Sequence, residues 1–284
     1  MNKTLNLKFK KNESFYLRDG WLEKAINAIY ENKLNNIFSK NNGISILGIG
    51  SNMVKSLKYW LQASNVIIST NNKTELSLFG ELLYKYDRYL ENQFSLFLIH
   101  YNLVKNMIEC PLFYGLFNID IKTFTKNDFV SVISSYFQSL DLEVKKEYLE
   151  DDTGVLLKSY INDSKGDNPE DNYVCPLAYL RLLEKKGDKY IKTKPIYQSL
   201  SYLIVYLCLV DLYEGQSFNI EDSIDEINSP IKIFNLDKNM YLQYLEEMKK
   251  NQLITINKTA GLNTVYFEEK LTLEEVFIRY YEEE

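Results

Sequence analysis

Histidine is almost missing from this 284-residue chain; His100 is its single example. Ser-His-Asp or Cys-His machinery would have to be centred on it, and no Gly-x-Ser-x-Gly nucleophile elbow is present. His100 lies in the apolar stretch SLFLIHYNLV, which predicts a hydrogen-bonded core residue. Cysteine is also scarce. Cys110, Cys175 and Cys208 are odd in number and far apart, so they build neither a disulfide framework nor a metal-ligand spacing. Cys175, in VCPLAYL, could accept sulfur from a sulfurtransferase. No cations surround it in sequence to lower its pKa, which favours a small buried apolar role. Glycine (11) and proline (5) are too few for long disordered linkers. Long apolar runs are missing as well. The longest, YLIVYLCLV from Tyr202 to Val210, falls far short of the roughly 20 residues that cross a bilayer and reads as a buried helix. The N-terminal MNKTLNLKFKKNESF has no apolar signal core or small-residue cleavage site. The expectation is a cytoplasmic protein with no membrane partner and no cofactor.

What the chain does have is an ordinary globular composition, 45% hydrophobic and 25% charged, with many aromatics: 23 Tyr and 15 Phe. A chain of this length can bury one large core or two to three small ones. The net charge of −6 hides a division. Residues 1–80 hold 11 Lys and Arg against 5 Asp and Glu, whereas the remainder holds 22 against 34. Such asymmetry marks a local polyanion-binding surface in the N-terminal part.

Periodicity predicts a mainly α protein with small β-hairpins. A first helix covers RDGWLEKAINAIYENKL, with Asp19 as its cap and Trp21, Leu22, Ala25, Ile26, Ile29 and Tyr30 at helical spacing. SKNNG (Ser39–Gly43) breaks the pattern, a short helical element follows at Ser45–Leu47, and a second long helix buries Val54, Leu57 and Leu61. NVIIST and TELSLF flank the turn NNK as a hairpin. This is the element order of a winged helix-turn-helix domain, assigned to residues 1–90. Helical segments LFGELLYKYD, FSLFLIHYNLVKNMI and TKNDFVSVISSYFQSL follow, the last capped by Thr125, in a helical middle region over 91–165. The polar loop Asn162–Asn172 separates it from a helical C-terminal region, 166–284. There an apolar helix covers Tyr197–Tyr213. Asp237 caps another, with Leu242, Leu245 and Met248 inward. LITIN and NTVYF pair around TAG as the hairpin of a winged-helix-like unit.

The glycine pair in LGIGSNMVKSLKYW decides between two chemistries. A dinucleotide loop needs a third glycine, where Met53 stands, and an acidic residue about 20 positions on; none lies between Glu31 and Glu75. A phosphate-binding Walker loop needs Gly-Lys-Ser/Thr, also absent. As the turn of a helix-turn-helix, Gly48 and Gly50 supply positive φ and Ser51 supplies the next cap. With Val54, Leu57 and Leu61 inward, Ser51, Asn52, Lys55, Ser56 and Lys58 face outward. Asn and Ser can reach base edges there, and lysines neutralise phosphates. Lys73 at the hairpin tip, Arg18 and Lys24 are further DNA contacts, although Arg18 could instead pair with Asp19. A winged helix that contacts only proteins remains the bland alternative.

The segments FYLRDGWLEKAI and LGIGSNMVKSLKYW resemble the bacterial domain-of-unknown-function family numbered 4007. Phe15, Arg18, Gly20, Trp21, Leu22 and Lys24 match its Phe-x-x-Arg-x-Gly-Trp-Leu-x-Lys segment. Leu47, Gly48, Gly50, Asn52, Met53 and Val54 match its Leu-Gly-Val-Gly-Lys-Asn-Met-Val core, with Ser51 in place of the usual lysine, a departure that removes one phosphate contact. LSLFGELLY, VLLKSY, CPLAYLRLL and IFNLDKN extend the likeness over nearly the whole chain. The resemblance implies a genomic setting beside sulfurtransferase genes, in DNA phosphorothioation and phage-defence loci.

The sequence therefore predicts a non-enzymatic accessory protein that binds double-stranded DNA in a modification or anti-phage defence system, with a sulfurtransferase or ATPase as protein partner. An adaptor without DNA binding is the second reading. The third is a metal-dependent nuclease using Glu150, Asp151 and Asp152, acids that otherwise read as complementing a helix dipole.

Overall fold

The computed structural model describes residues 6–32, 37–70, 73–162, 173–259 and 262–283. Helices dominate, joined by three small antiparallel sheets. The chain divides into two units, Met1–Leu116 with Asp120–Thr193, and Phe117–Ile119 with Lys194–Glu284.

The first unit opens with α1 (Trp21–Asn32), α2 (Lys40–Leu47), α3 (Ser51–Ala63), β1 (Ile67–Thr70) and β2 (Lys73–Leu76). Trp21, Leu22, Ala25, Ile26 and Ile29 are buried as their spacing predicts, while Tyr30 is exposed and stacks on Tyr84 at 3.6 Å. Ser39–Gly43 does not interrupt the helical pattern. Ser39 stands at the N-cap of α2, and Gly43 lies within the helix, where a Cβ would meet Val54 Cγ1 at 2.6 Å. Glycine is there because α2 packs closely on α3. Gly48 ends α2 at φ +65, its N–H donating to the Ile44 carbonyl, and needs the left-handed region. Gly50 does not; it is the extended N-cap of α3 at φ −62, so Ser51 is the first helical residue and not the cap. Strands β1 and β2 pair from Ile67↔Leu76 to Thr70↔Lys73.

Helices α4 (Leu78–Tyr86), α5 (Gln93–Lys105) and α6 (Pro111–Asn118) follow. Helix α5 is buried on every side from Phe94 to Val104, as expected of a helix that is apolar all round. Then come β3 (Thr123–Thr125), α7 (Lys126–Ser139), α8 (Lys146–Tyr160), β4 (Leu183–Lys186) and β5 (Lys189–Lys192), whose sheet runs β3-β5-β4. Thr125 caps α7 as predicted and closes a capping box with Asp128.

In the second unit α9 (Tyr202–Leu212) starts five residues later than its predicted boundary, at the Ser201 cap. It is followed by β6 (Ser217–Asn219), α10 (Ile220–Asp225), α11 (Pro230–Ile233), α12 (Lys238–Lys250), β7 (Ile254–Thr259), β8 (Leu262–Phe267) and α13 (Leu273–Ile278), in a sheet ordered β6-β8-β7. Asp237 accepts the Met240 N–H at 2.8 Å. Leu245 and Met248 are buried; Tyr241 and Tyr244 fill the place predicted for Leu242, which is half-exposed. The hairpin pairs Asn257 with Thr264. The loop predicted at Asn162–Asn172, beyond Asn162, and the TAG turn at Ala260 and Gly261 lie outside the described residues.

The two three-stranded sheets share one plan. A three-residue strand feeds directly into a capped helix, further helix follows, and a hairpin returns so that its second strand pairs with the first.

Candidate nucleic-acid interface

Helix α3 holds most of the residues selected from sequence. Val54, Leu57, Trp60 and Leu61 anchor one face in the core. That leaves Asn52 and Lys55 exposed and Ser51 and Lys58 half-exposed. Lys55 Nζ donates to Asn52 Oδ1 at 3.2 Å and lies 3.9 Å from the Glu13 carboxylate. Ser56 is not part of this surface. It is fully buried, and its Oγ donates to the Phe15 carbonyl at 3.4 Å. The cause is the helical repeat: Ser56 shares its face with Trp60, whose Nε1 donates to the same carbonyl at 3.0 Å.

Lys73 is exposed at the start of β2 and pairs with Glu75. Lys24 is exposed on α1. Arg18 is neither exposed nor paired with Asp19. Only 9% of it is accessible, and its guanidinium lies 4.9 Å from the Tyr173 ring, 5.4 Å from Phe15 and 5.6 Å from Trp21. Its Nε has no hydrogen-bond partner. Stacking on three aromatic faces, which attract a flat cation, removes it from the solvent side. Asp19 accepts the Gly20 N–H at 3.2 Å.

The acids proposed for a metal lie inside α8, not ahead of a helix, and each is engaged. Glu150 pairs with Lys146 at 3.5 Å and Asp151 with Lys10 Nζ at 2.8 Å. Asp152 accepts the Lys10 backbone N–H at 2.8 Å and Asn12 Nδ2 at 3.0 Å. Burial raises the Asp152 pKa, against those two hydrogen bonds. Among the described residues no group of three or more His, Cys, Asp or Glu is placed to hold a metal ion. Cys175 is buried, and burial pushes its thiol up to about 12. His100 is fully buried with Nδ1 2.6 Å from the Tyr160 hydroxyl, the core role that its setting predicts.

Sequence reading passed over one basic cluster. Lys185, Lys186 and Lys189 are exposed on β4 and β5, around a turn containing Gly187 at φ +63. The signal was there in LEKKGDKYIK: a Gly-Asp pair between two runs that both contain lysine.

A family profile described as "Protein of unknown function (DUF4007)" matches residues 9–281. The chain belongs to that family. No curated protein matches it. Among solved structures, "SspB crystal structure" shares its fold at a TM-score of 0.81 and 22% identity, over 96% of this chain and 88% of that one. "Magnesium ion-bound SspB crystal structure" does so at 0.80 and 22%, over 96% and 93%. At this identity the likeness is one of architecture, and it spans both units of the DUF4007 chain. Among the described residues no helix is long and apolar enough to cross a membrane.

Proposed function

We propose that this DUF4007 protein is a non-enzymatic accessory factor that binds double-stranded DNA in a bacterial modification or defence system of the phosphorothioation type. We read α1, α2, α3 and the β1–β2 hairpin as a winged helix-turn-helix, with α3 as the helix that enters the major groove. One observation carries this reading: α3 buries Val54, Leu57 and Leu61 while leaving Asn52 and Lys55 in solvent and Lys58 partly so. Asn52 is suited to a base edge, and the two lysines to phosphates. Lys73 and Lys24 are peripheral phosphate contacts. The likeness to SspB structures supports an accessory role, and the family setting favours a sulfurtransferase or ATPase as partner.

The test is duplex binding by fluorescence anisotropy across a salt series. Lys55→Glu with Lys58→Glu should weaken binding more than tenfold and flatten the slope of log K against log salt by about two, roughly one per phosphate contact. Unchanged affinity at matched salt rejects the α3 interface. No wild-type binding at low salt, together with co-purification of an operon partner, selects the adaptor reading.

One finding favours a second reading: a structure of the same fold is described as magnesium-ion-bound. A metal-dependent nuclease built on Glu150, Asp151 and Asp152 would first have to release them from Lys146, Lys10 and Asn12. Mg²⁺-dependent plasmid nicking that disappears in Asp151→Ala, Asp152→Ala would establish it.

A further inference from the structure

The hairpin β4–β5 of the first unit carries a concentrated positive charge. Leu183–Lys192 holds four lysines against Glu184 and Asp188. The register sets Lys186 directly opposite Lys189, flanking the Gly187–Asp188 turn. Residues opposite each other across a hairpin share a face, and like charges there oppose folding. Glu184, 3.3 Å from Lys186, offsets part of this through a salt bridge, and the Lys189 charge acts on Asp128, helping to lower its pKa. The neighbouring strand continues the sheet. Thr125 pairs with Lys189, the Lys192 N–H donates to the Lys122 carbonyl at 2.9 Å, and exposed Lys126 opens α7. On the opposite face Leu183 and Phe124 are buried, and Phe124 stacks on Tyr190 at 5.8 Å. The sheet is thus held from one side, and Lys186 and Lys189 stand on the other.

The shared plan of the two sheets does not require these charges. In the second unit, the equivalent hairpin β7–β8 has Lys258 as its only charged residue within the strands. Nor is the helix that precedes the first hairpin suited to DNA. Helix α8 carries Glu147, Glu150, Asp151 and Asp152, and the segment around Lys10–Asn12 is fastened to it.

We propose that β4–β5 is a second contact for duplex DNA, through Lys186 and Lys189. It grips backbone phosphates through the hairpin alone, because α8, the helix before it, is acidic and fastened to the Lys10–Asn12 segment. The inference rests on the DNA-binding reading of α3 and adds a sequence-independent grip to it.

The test compares full-length wild type with Lys186→Gln, Lys189→Gln, with Lys55→Glu, Lys58→Glu and with a Lys258→Gln control, each titrated with the same duplex over the same salt series. The hairpin variant should bind about five- to tenfold more weakly and lose roughly two from its salt slope. Its melting temperature should stay level or rise, since a like-charge pair has been removed; the control should match wild type. A hairpin variant that binds like wild type, while the α3 variant is impaired, overturns the hairpin contact alone. Failure of wild type to bind any duplex overturns both.

Discussion

A carboxylate on a helix becomes a ligand, a catalyst or a fastener according to what its oxygens accept. Asp152 is a fastener: both oxygens take donors from the N-terminal segment, Lys10 N–H and Asn12 Nδ2. Asp152→Ala leaves those donors without partners and should cost about 1–3 kcal/mol, the usual price of losing hydrogen bonds to a charged acceptor. Asp152→Asn retains one acceptor and should cost less. Thermal unfolding measures both, and faster amide exchange at Lys10 in the alanine variant locates the damage. Equal melting temperatures for wild type and Asp152→Ala would remove the fastening role. At this scale the sequence was only partly legible. His100 was read correctly because the apolar residues beside it in sequence mark a helix buried on every side, although its partner Tyr160 comes from α8. Arg18 was misread because one wall of its clamp, Tyr173, comes from a distant part of the chain. Ser56 was misread because the apolar face of α3 is wider than the Val54, Leu57, Leu61 stripe and takes in Trp60.

Elements with strong local signals were legible: α3, the capped α7, Asp237-capped α12 and the two hairpins β1–β2 and β7–β8 all stand where periodicity and capping chemistry put them. Strands β3 and β6 were not. Each is three residues long, and each is made a strand by a partner far along the chain, Thr123–Thr125 by residues 189–191 and Ser217–Asn219 by residues 264–266. A segment that short carries no period of its own. Gly43 was misread for a related reason. Its role is a contact between helices, and sequence shows only a residue that disfavours helix. Gly43→Ala should therefore destabilise, by about 1–3 kcal/mol, because the new methyl meets Val54 Cγ1 and the Ile37 carbonyl in a packed seam. It should also weaken duplex binding, because that seam sets α3 against α2. Val54→Ala in the same chain makes room and should recover part of the loss. If Gly43→Ala alone is as stable as wild type, the seam is not tight.

At the scale of the whole molecule, the carboxylates beyond residue 80 with shifted pKa values move both ways in the first unit and only downward in the second. In the first unit burial raises Asp87 and Asp152, while the capping box with Thr125 lowers Asp128. In the second, Lys194 and the Met240 N–H lower Asp237, and the Thr272 capping box lowers Glu275; among its described residues no carboxylate is resolved as raised. The signs follow from linkage. A lowered carboxylate gives stability that is present above its unfolded value, about 3.9 for Asp and 4.3 for Glu, and lost as pH falls through the folded value. A raised one carries a penalty when ionised, and acidification through its folded value relieves that penalty. Acidification therefore only removes stability at the shifted groups of the second unit, whereas in the first it removes some at Asp128 and restores some at Asp87 and Asp152. The second unit should open first as pH falls below about 4. The chain provides its own reporter, since Trp21 and Trp60, its only two tryptophans, both lie in the first unit. Amide protection in α12 should be lost at a higher pH than the shift in tryptophan emission, and Asp237→Asn with Glu275→Gln should narrow the gap. Tryptophan emission that shifts at the higher pH would show that the buried acids of the first unit do not offset its loss at Asp128.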